Sequence, residues 1–297
     1  MLPILSSAID GRRVSIFNRA DGIEHPMRGV EVTNTTGLQL MPGPLSVFDG
    51  AAYAGDAQIG HITTGDKRLL AYAVDLDVQA ITKEDNVSTV RSIKIVHGLI
   101  EQTSKQVYKI AYAFANKDAK RPRQVLVEQA KMGGWDLTEP KKAAEETQDL
   151  FRFEVSLKPS ESGKIDVVQE RTDLQRFEVT NYDLGTLIGY AKDGKASKAV
   201  VDAVKKAADM QAAIAATQQR IQLLDQERQS IDQDQSRIRQ NMNAISRDTD
   251  VYRRYLTKFN DQESRLESIK EQRDKEQATL TKQQQELAAF VAGLNVE

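Results

Sequence analysis

The sequence predicts a multidomain α and β chain: an antiparallel β-sandwich-type half followed by a long antiparallel α-helical coiled-coil hairpin. Three observations predict it. All seven prolines lie at or before Pro159. From Lys195 to Ala292 there is neither glycine nor proline, the residues excluded from helix interiors. The apolar spacing also changes, from every second residue to every third and fourth. The expected layout is a β-rich domain over 1–182, with a boundary between two β modules near 81–89. A linker follows over 183–196, then the helical hairpin over 197–297.

The β half is read from short alternating runs bounded by turn residues. "FRFEVSLK" puts Phe151, Phe153, Val155 and Leu157 on one face and Arg152, Glu154, Ser156 and Lys158 on the other. "QVYKIAYAFAN" does the same with Tyr108, Ile110, Tyr112 and Phe114. "RRVSIFN", "RGVEVTN", "STVRSIKIVHG", "RQVLVEQA", "GKIDVVQE" and "LQRFEVTN" are further runs of this kind. One polar face is the mark of antiparallel sheets packed on one side. Ile93, Ile95 and Trp135, the single tryptophan, join the expected core.

The helical half shows two seams. Along 200, 203, 207 and onward to 245, alternating three and four apart, eleven of fourteen positions are apolar. A second seam runs from Tyr252 to Leu294. Between them Asp248, Thr249 or Asp250 can cap a helix. If the arms pair at positions summing to about 497, Gln235 faces Gln262 and Arg228 lies level with Ile269, while Arg273 lies near Leu224. Polar residues at such places cost stability and fix register. Tyr252, Tyr255 and Phe259 crowd the expected tip and are the candidate contact patch, since aromatics are enriched at interfaces.

Between Asn34 and Asp66 glycine is dense, with residues 37, 43, 50, 55, 60 and 65. A phosphate loop requires Lys and Ser or Thr after its last glycine. "GDAQIGHI" has neither, so the stretch reads as turns of a meander. Pro42-Gly43 suits a type II turn and Asp49-Gly50 a two-residue hairpin. His25, His61 and His97 have no partner at metal-ligand spacing. Asp75 and Asp77 share a face and read as a solvated polar surface. Asn34 and Asn86 open glycosylation-type triplets of a kind common by chance. No catalytic, cofactor or metal residue is therefore assigned, and no cofactor is expected.

The 297 residues carry a net charge of -2 and contain no cysteine. Neither sign of charge dominates, so nucleic acid is not an expected partner. Thiolate chemistry and disulfides are excluded. The N-terminus lacks a basic n-region, so no signal peptide is read in it. No apolar stretch approaches the length of a transmembrane segment.

Several segments resemble the C-terminal region of the bacterial mucoidy-inhibitor-A-like family, which shares a domain of unknown function. They are "VTNTTGLQLMPGPLSVFDGAAYAGDAQIG", "DKRLLAYAVDLDV", "GGWDLTEPKKAAEETQDLFRFEVSL", "DQDQSRIRQNM" and "YRRYLTKFNDQESRLESI". The resemblance implies a β-rich domain associated with long coiled coils in envelope proteins, and brings no catalytic residues. In the family's usual layout a β module and a coiled coil precede the shared domain. Here the helices follow it, which suggests part of a longer protein. The expected function is a non-enzymatic structural or interaction protein of the cell envelope, periplasmic or surface. Its β domain would serve docking or assembly, and its helical arm oligomerisation or partner contact. The rivals are a hydrolase or carbohydrate-binding module using His61, Asp75 and Asp77, and a transport-system adaptor.

Overall fold

The computed structural model describes residues 6–297. In chain order the strands are β1 (Asp10–Asn18), β2 (Met27–Thr33), β3 (Gly43–Asp49), β4 (Ala52–Ile59), β5 (Lys67–Val74) and β6 (Val78–Val96), followed by β7 (Leu99–Asn116), β8 (Arg123–Ala130), β9 (Asp136–Glu139), β10 (Glu145–Glu146), β11 (Leu150–Leu157) and β12 (Ser162–Glu178). The helices are α1 (Leu184–Lys192), α2 (Lys198–Asn243) and α3 (Asp250–Ala292). Strand accounts for 41% and helix for 36%. The chain divides into two units. One holds the residues up to Thr89 with Lys105–Thr172; the other holds Val90–Ser104 with Asp173–Glu297. The division passes through β6, β7 and β12.

The expected fold class needs correction in both halves. The β part is not a purely antiparallel sandwich. Its largest sheet is six-stranded and mixed, in the order β10-β11-β8-β1-β2-β5, and β1 runs parallel to β8 from Ser15↔Val125 to Asn18↔Glu128. The reason is visible in β8, where Val125, Leu126 and Val127 are all buried. A continuous apolar run suits a strand covered on both faces, which alternation-based reading does not find. A four-stranded sheet, β6-β7-β12-β9, and the separate β3-β4 hairpin complete the β structure.

In the first unit the core gathers Phe17 of β1, Val125 and Val127 of β8, and Phe151, Phe153 and Leu157 of β11 against Val78, Ile110, Tyr112, Phe114 and Val167. The alternation of β11 is thus the burial pattern of the strand. Phe17 meets Tyr112 and Phe114 edge-on, at centroid distances of 6.0 and 5.4 Å, a favoured aromatic geometry. The Tyr112 hydroxyl donates to Gln129 Oε1, and burial pushes its pKa up to about 12. Trp135 is not a core anchor. It is half-buried, edge-on to Tyr108 at 6.5 Å, with the Arg171 guanidinium 5.1 Å from its ring. Tyr108 and Val155 are likewise only partly buried.

In the second unit Ile93, Ile95 and Ile100 pack with Leu187 of α1, Val200, Ala203, Val204 and Ala207 of α2, and Leu294. The segment 183–196, expected as a linker, contains α1. Ile95 exchanges backbone hydrogen bonds of 2.7 and 2.8 Å with Val296. His97 and Gly98, with φ of 49° and 75°, turn β6 into β7. Two successive left-handed residues make the turn that matches strand twist. A Cβ on Gly98 would lie 2.5 Å from the Val291 carbonyl oxygen, so this position admits only glycine.

The three helices begin at side-chain caps. Asp183 accepts from Thr186 N, Ser197 from Val200 N and Thr249 from Tyr252 N. Helices α2 and α3 run antiparallel, but not as the expected heptad-sealed coiled-coil hairpin. Between residues 208 and 283 the buried side chains are Thr217, Gln235, Ile238, Ile269 and Leu280. Ion pairs link the helices instead: Arg220–Glu276 at 3.0 Å, Arg273–Asp225 at 2.9 Å, Arg265–Glu227 at 2.7 Å and Lys258–Asp234 at 2.8 Å. Each helix of a lone pair has one covered stripe, so most seam residues stay half-exposed, and the long flanking side chains reach across.

This polar seam makes the helix pair acid-sensitive. Hydrogen bonds from Lys258 and Gln262 hold the Asp234 pKa down to about 2, and the bond from Arg265 lowers that of Glu227. Both folded values lie below the unfolded ones. Their contribution is therefore complete above the ordinary carboxylate range near 4 and is lost as pH falls toward about 2. The helical melting temperature, followed by circular dichroism, is expected to fall between pH 4 and 2. A midpoint unchanged over that interval would remove these pairs from the account.

Candidate functional site

A cleft of about 660 Å³ opens in the first unit. Strand register builds it. Ser15 on β1 is the cross-strand partner of Arg28 on β2, and Met27 is paired with Val74 at the end of β5. The turn after β5 therefore brings Asp75 beside Arg28, with the Asp75 amide bonded to the Pro26 carbonyl at 2.8 Å. Arg123 enters as the first residue of β8, preceded by Arg121 in the loop from β7. The β3-β4 tip supplies Asp49 and Tyr53, and β5 supplies Tyr72.

Asp75 is the hub. It is 1% exposed and accepts from the Ser15 hydroxyl at 2.6 Å and from Arg28 Nε at 3.2 Å, with Arg123 Nε 3.3 Å from its second oxygen. Asp77 takes the far ends of the same two guanidiniums, at 2.8 and 2.7 Å, and Asp118 takes Arg123 at 3.1 Å. Partial burial works against the Arg28 charge, but the hydrogen bond to Asp75 and the charges of Asp75 and Asp77 together outweigh it and hold the pKa above its ordinary value. Backbone amides of Lys120 and Arg121 hold the Asp118 carboxyl below its ordinary value. Nearer the mouth, Arg13 Nη2 lies 2.5 Å from Asp49 Oδ1 and Arg121 Nη1 3.8 Å from Asp49 Oδ2. Four arginines thus line a cleft in which the lining acids are Asp49 and Asp75.

The sequence reading of Asp75 and Asp77 as a solvated face fails at Asp75, which is buried among cations. The histidines do not join them. His25 Nδ1 donates to the Val78 carbonyl at 2.7 Å, His61 is exposed near Asp66, and His97 forms the β6–β7 turn. Among the described residues no group of three His, Asp or Glu is placed to hold a metal ion. Asn34 is fully buried, donating to the carbonyls of Leu38 and Ile62, and so is closed to glycosylation. In the glycine-rich stretch, Gly43 is paired with Ile59 in β3 instead of turning. The hairpin turn is Gly50-Ala51, one residue beyond Asp49-Gly50, with Gly50 at φ 65°.

On the helix pair, the register residues find different partners from those expected. Gln235 donates to Glu263 at 2.7 Å and Gln262 to Asp234 at 2.6 Å, so no Gln235–Gln262 layer forms. Arg228 is exposed, and Arg273 is paired with Asp225. Tyr252, Tyr255 and Phe259 are half-buried in the first turns of α3, level with Met242 and Ile245, which are also half-buried. Asn241 donates to the Tyr255 hydroxyl at 3.3 Å.

No family model, curated protein or solved structure matches the chain. Among the described residues no helix is long and apolar enough to cross a membrane.

Proposed function

We propose that this protein is a non-enzymatic structural and interaction protein of the bacterial cell envelope. Its β unit docks on an anionic group of a partner, and its long helix pair serves as the arm for oligomerisation or partner contact. The observation that carries this reading is how the cleft's charges are used. Asp75 is 1% exposed and held by Ser15, Arg28 and Arg123, an ion-paired setting that suits a structural hub better than a general base. Four arginines are among the lining residues, and the planar guanidinium fork recognises carboxylate and phosphate. The likeness of five segments to mucoidy-inhibitor-A-like proteins supports the envelope setting.

The helix arm supports a contact role through its build. Long isolated helices draw most of their stability from packing. Here Leu223, Val251 and Leu256 remain exposed on α2 and α3. Replacing Tyr252 and Tyr255 together by Ser tests the arm. Light scattering coupled to size exclusion is expected to show assembly lost at a helical content close to that of the parent chain. If assembly persists and only the melting temperature drops, the rings merely close the helix pair and the contact role fails.

A further inference from the structure

Asp49 has an unusual position for a hairpin-tip residue. Its carboxylate bridges Arg13 of β1 and Arg121 of the β7–β8 loop, two residues from separate elements. All three side chains reach solvent, with Arg13 71%, Arg121 65% and Asp49 43% exposed. Exposed ion pairs of this kind contribute little, so the bridge is easily exchanged.

The hairpin is firmly held at its base and weakly at its tip. Leu45, Ala57 and Ile59 pack on Ile62 and Leu70. Gly55 lies so close to β5 that a Cβ there would be 2.2 Å from the Tyr72 carbonyl oxygen. Beyond Val47 the pairing register shifts by a bulge. From there on, Phe48 packs against Tyr53 at 5.8 Å, and the Tyr53 hydroxyl donates back to Asp56 of the same hairpin at 2.6 Å. Among the described residues, it is the Asp49 carboxylate that ties this tip to the arginines of the cleft.

We propose that the cleft is a carboxylate-binding site and that Asp49 is its tethered competitor, occupying the subsite between Arg13 and Arg121 until a ligand carboxylate replaces it. This rests on the reading of the cleft as an anion-docking surface and adds the ligand class and the residue that restrains it. With Asp49 displaced, Arg13 and Arg121 are left to a ligand, while Arg28 and Arg123 stay held by Asp75, Asp77 and Asp118. Tyr53 and Tyr72 provide walls for the body of the ligand. The volume suits either a small organic acid or an acidic side chain of a peptide, and the shared chemistry is the carboxylate.

Calorimetric titration at fixed ionic strength tests this with two probes, glutarate and the peptide N-acetyl-Glu-Glu-amide, with the Gln-Gln peptide as the uncharged control. The wild-type chain is compared with Asp49→Asn, Asp56→Asn and an Asp49→Asn chain that also carries Arg13→Gln and Arg121→Gln. Asp56→Asn removes the same charge from the same hairpin without vacating the arginines. Asp49→Asn is expected to tighten binding of the acidic probe about three- to fivefold, the factor an exposed ion pair corresponds to. Asp56→Asn should leave it unchanged, and the two arginine substitutions should abolish it. Tighter binding of glutarate identifies a small acid as the source, and tighter binding of the Glu-Glu peptide an acidic segment. If Asp49→Asn binds no more tightly than wild type, or if Asp56→Asn tightens binding equally, the competitor role is overturned while anion docking stands. If neither acid binds wild type or a folded Asp49→Asn chain, both are overturned.

Discussion

Replacing Phe153 by Ala is expected to destabilise the first unit by about 3–5 kcal/mol, the range for truncating a buried aromatic. The ring is 2% exposed and lies among Val125, Val127, Phe151 and Leu157 in the largest apolar cluster. On one side it is the cross-strand partner of Val127, a residue with no exposure at all. Such neighbours are fixed by strand pairing on both β8 and β11, so they relax little into the space left behind, and the cavity term remains on top of the lost transfer free energy. Denaturant melts followed by near-ultraviolet signal would report the change. A loss below about 1 kcal/mol would place this face outside the core, since only surface substitutions are that mild. Val155→Ala, two residues along on a partly buried position, serves as the internal comparison and is expected to cost less.

Arg123→Met is expected to cost about 3 kcal/mol, toward the low end of what breaking a buried ion pair costs. The Arg123 side chain is 14% exposed, and its removal leaves Asp75, Asp77 and Asp118 short of a shared cation. Asp75 suffers most because it is 1% exposed and cannot turn to water. Arg28 remains at 3.2 Å and limits the loss. Arg28→Met is expected to cost about 1 kcal/mol or less, because that side chain is 43% exposed and Arg123 would still neutralise Asp75. The asymmetry between two arginines bound to the same carboxylates is the test. Equal losses for both, measured by chemical denaturation at neutral pH, would mean that Asp75 does not depend on the buried partner.

What the sequence could and could not show follows from distance along the chain. The alternation of Phe151, Phe153 and Leu157 was legible because a strand's own period sorts its faces. The long helices were legible because breakers vanish after Gly194, and Thr249 could be named among three caps from its local chemistry. The parallel pairing of β1 with β8 was not legible, since it joins residues about 110 positions apart, such as Ser15 and Val125. The same applies to the cleft. Arg13, Asp49, Asp75 and Arg123 lie far apart along the chain, and it takes the pairing of β1 with β2 and β8, of β2 with β5, and the β3-β4 hairpin to bring them together. One signal was available: "VDLDV" has acids in an otherwise apolar stretch directly after a strand, which asks for a counter-charge. The seam of α2 and α3 misled for another reason. Apolar residues at three- and four-residue spacing mark the facing stripe, but not whether enough neighbours exist to bury it. With one partner helix each, residues such as Ile221 and Leu224 stay half-exposed, and Arg220, Arg265 and Arg273 take over the contact.

The central claim is that the arginine cleft receives a carboxylate at the place Asp49 occupies. The most direct measurement is to follow arginine side-chain Nε–Hε resonances in the ¹⁵N-labelled full chain during a glutarate titration. The account predicts saturable shifts at Arg13 and Arg121, larger in Asp49→Asn. It predicts none at Arg152, whose guanidinium is held by Glu128 and Glu145 at 2.9 and 3.0 Å on β11. Shifts of equal size at all three, or no shift at Arg13 and Arg121 at saturating glutarate, would contradict it.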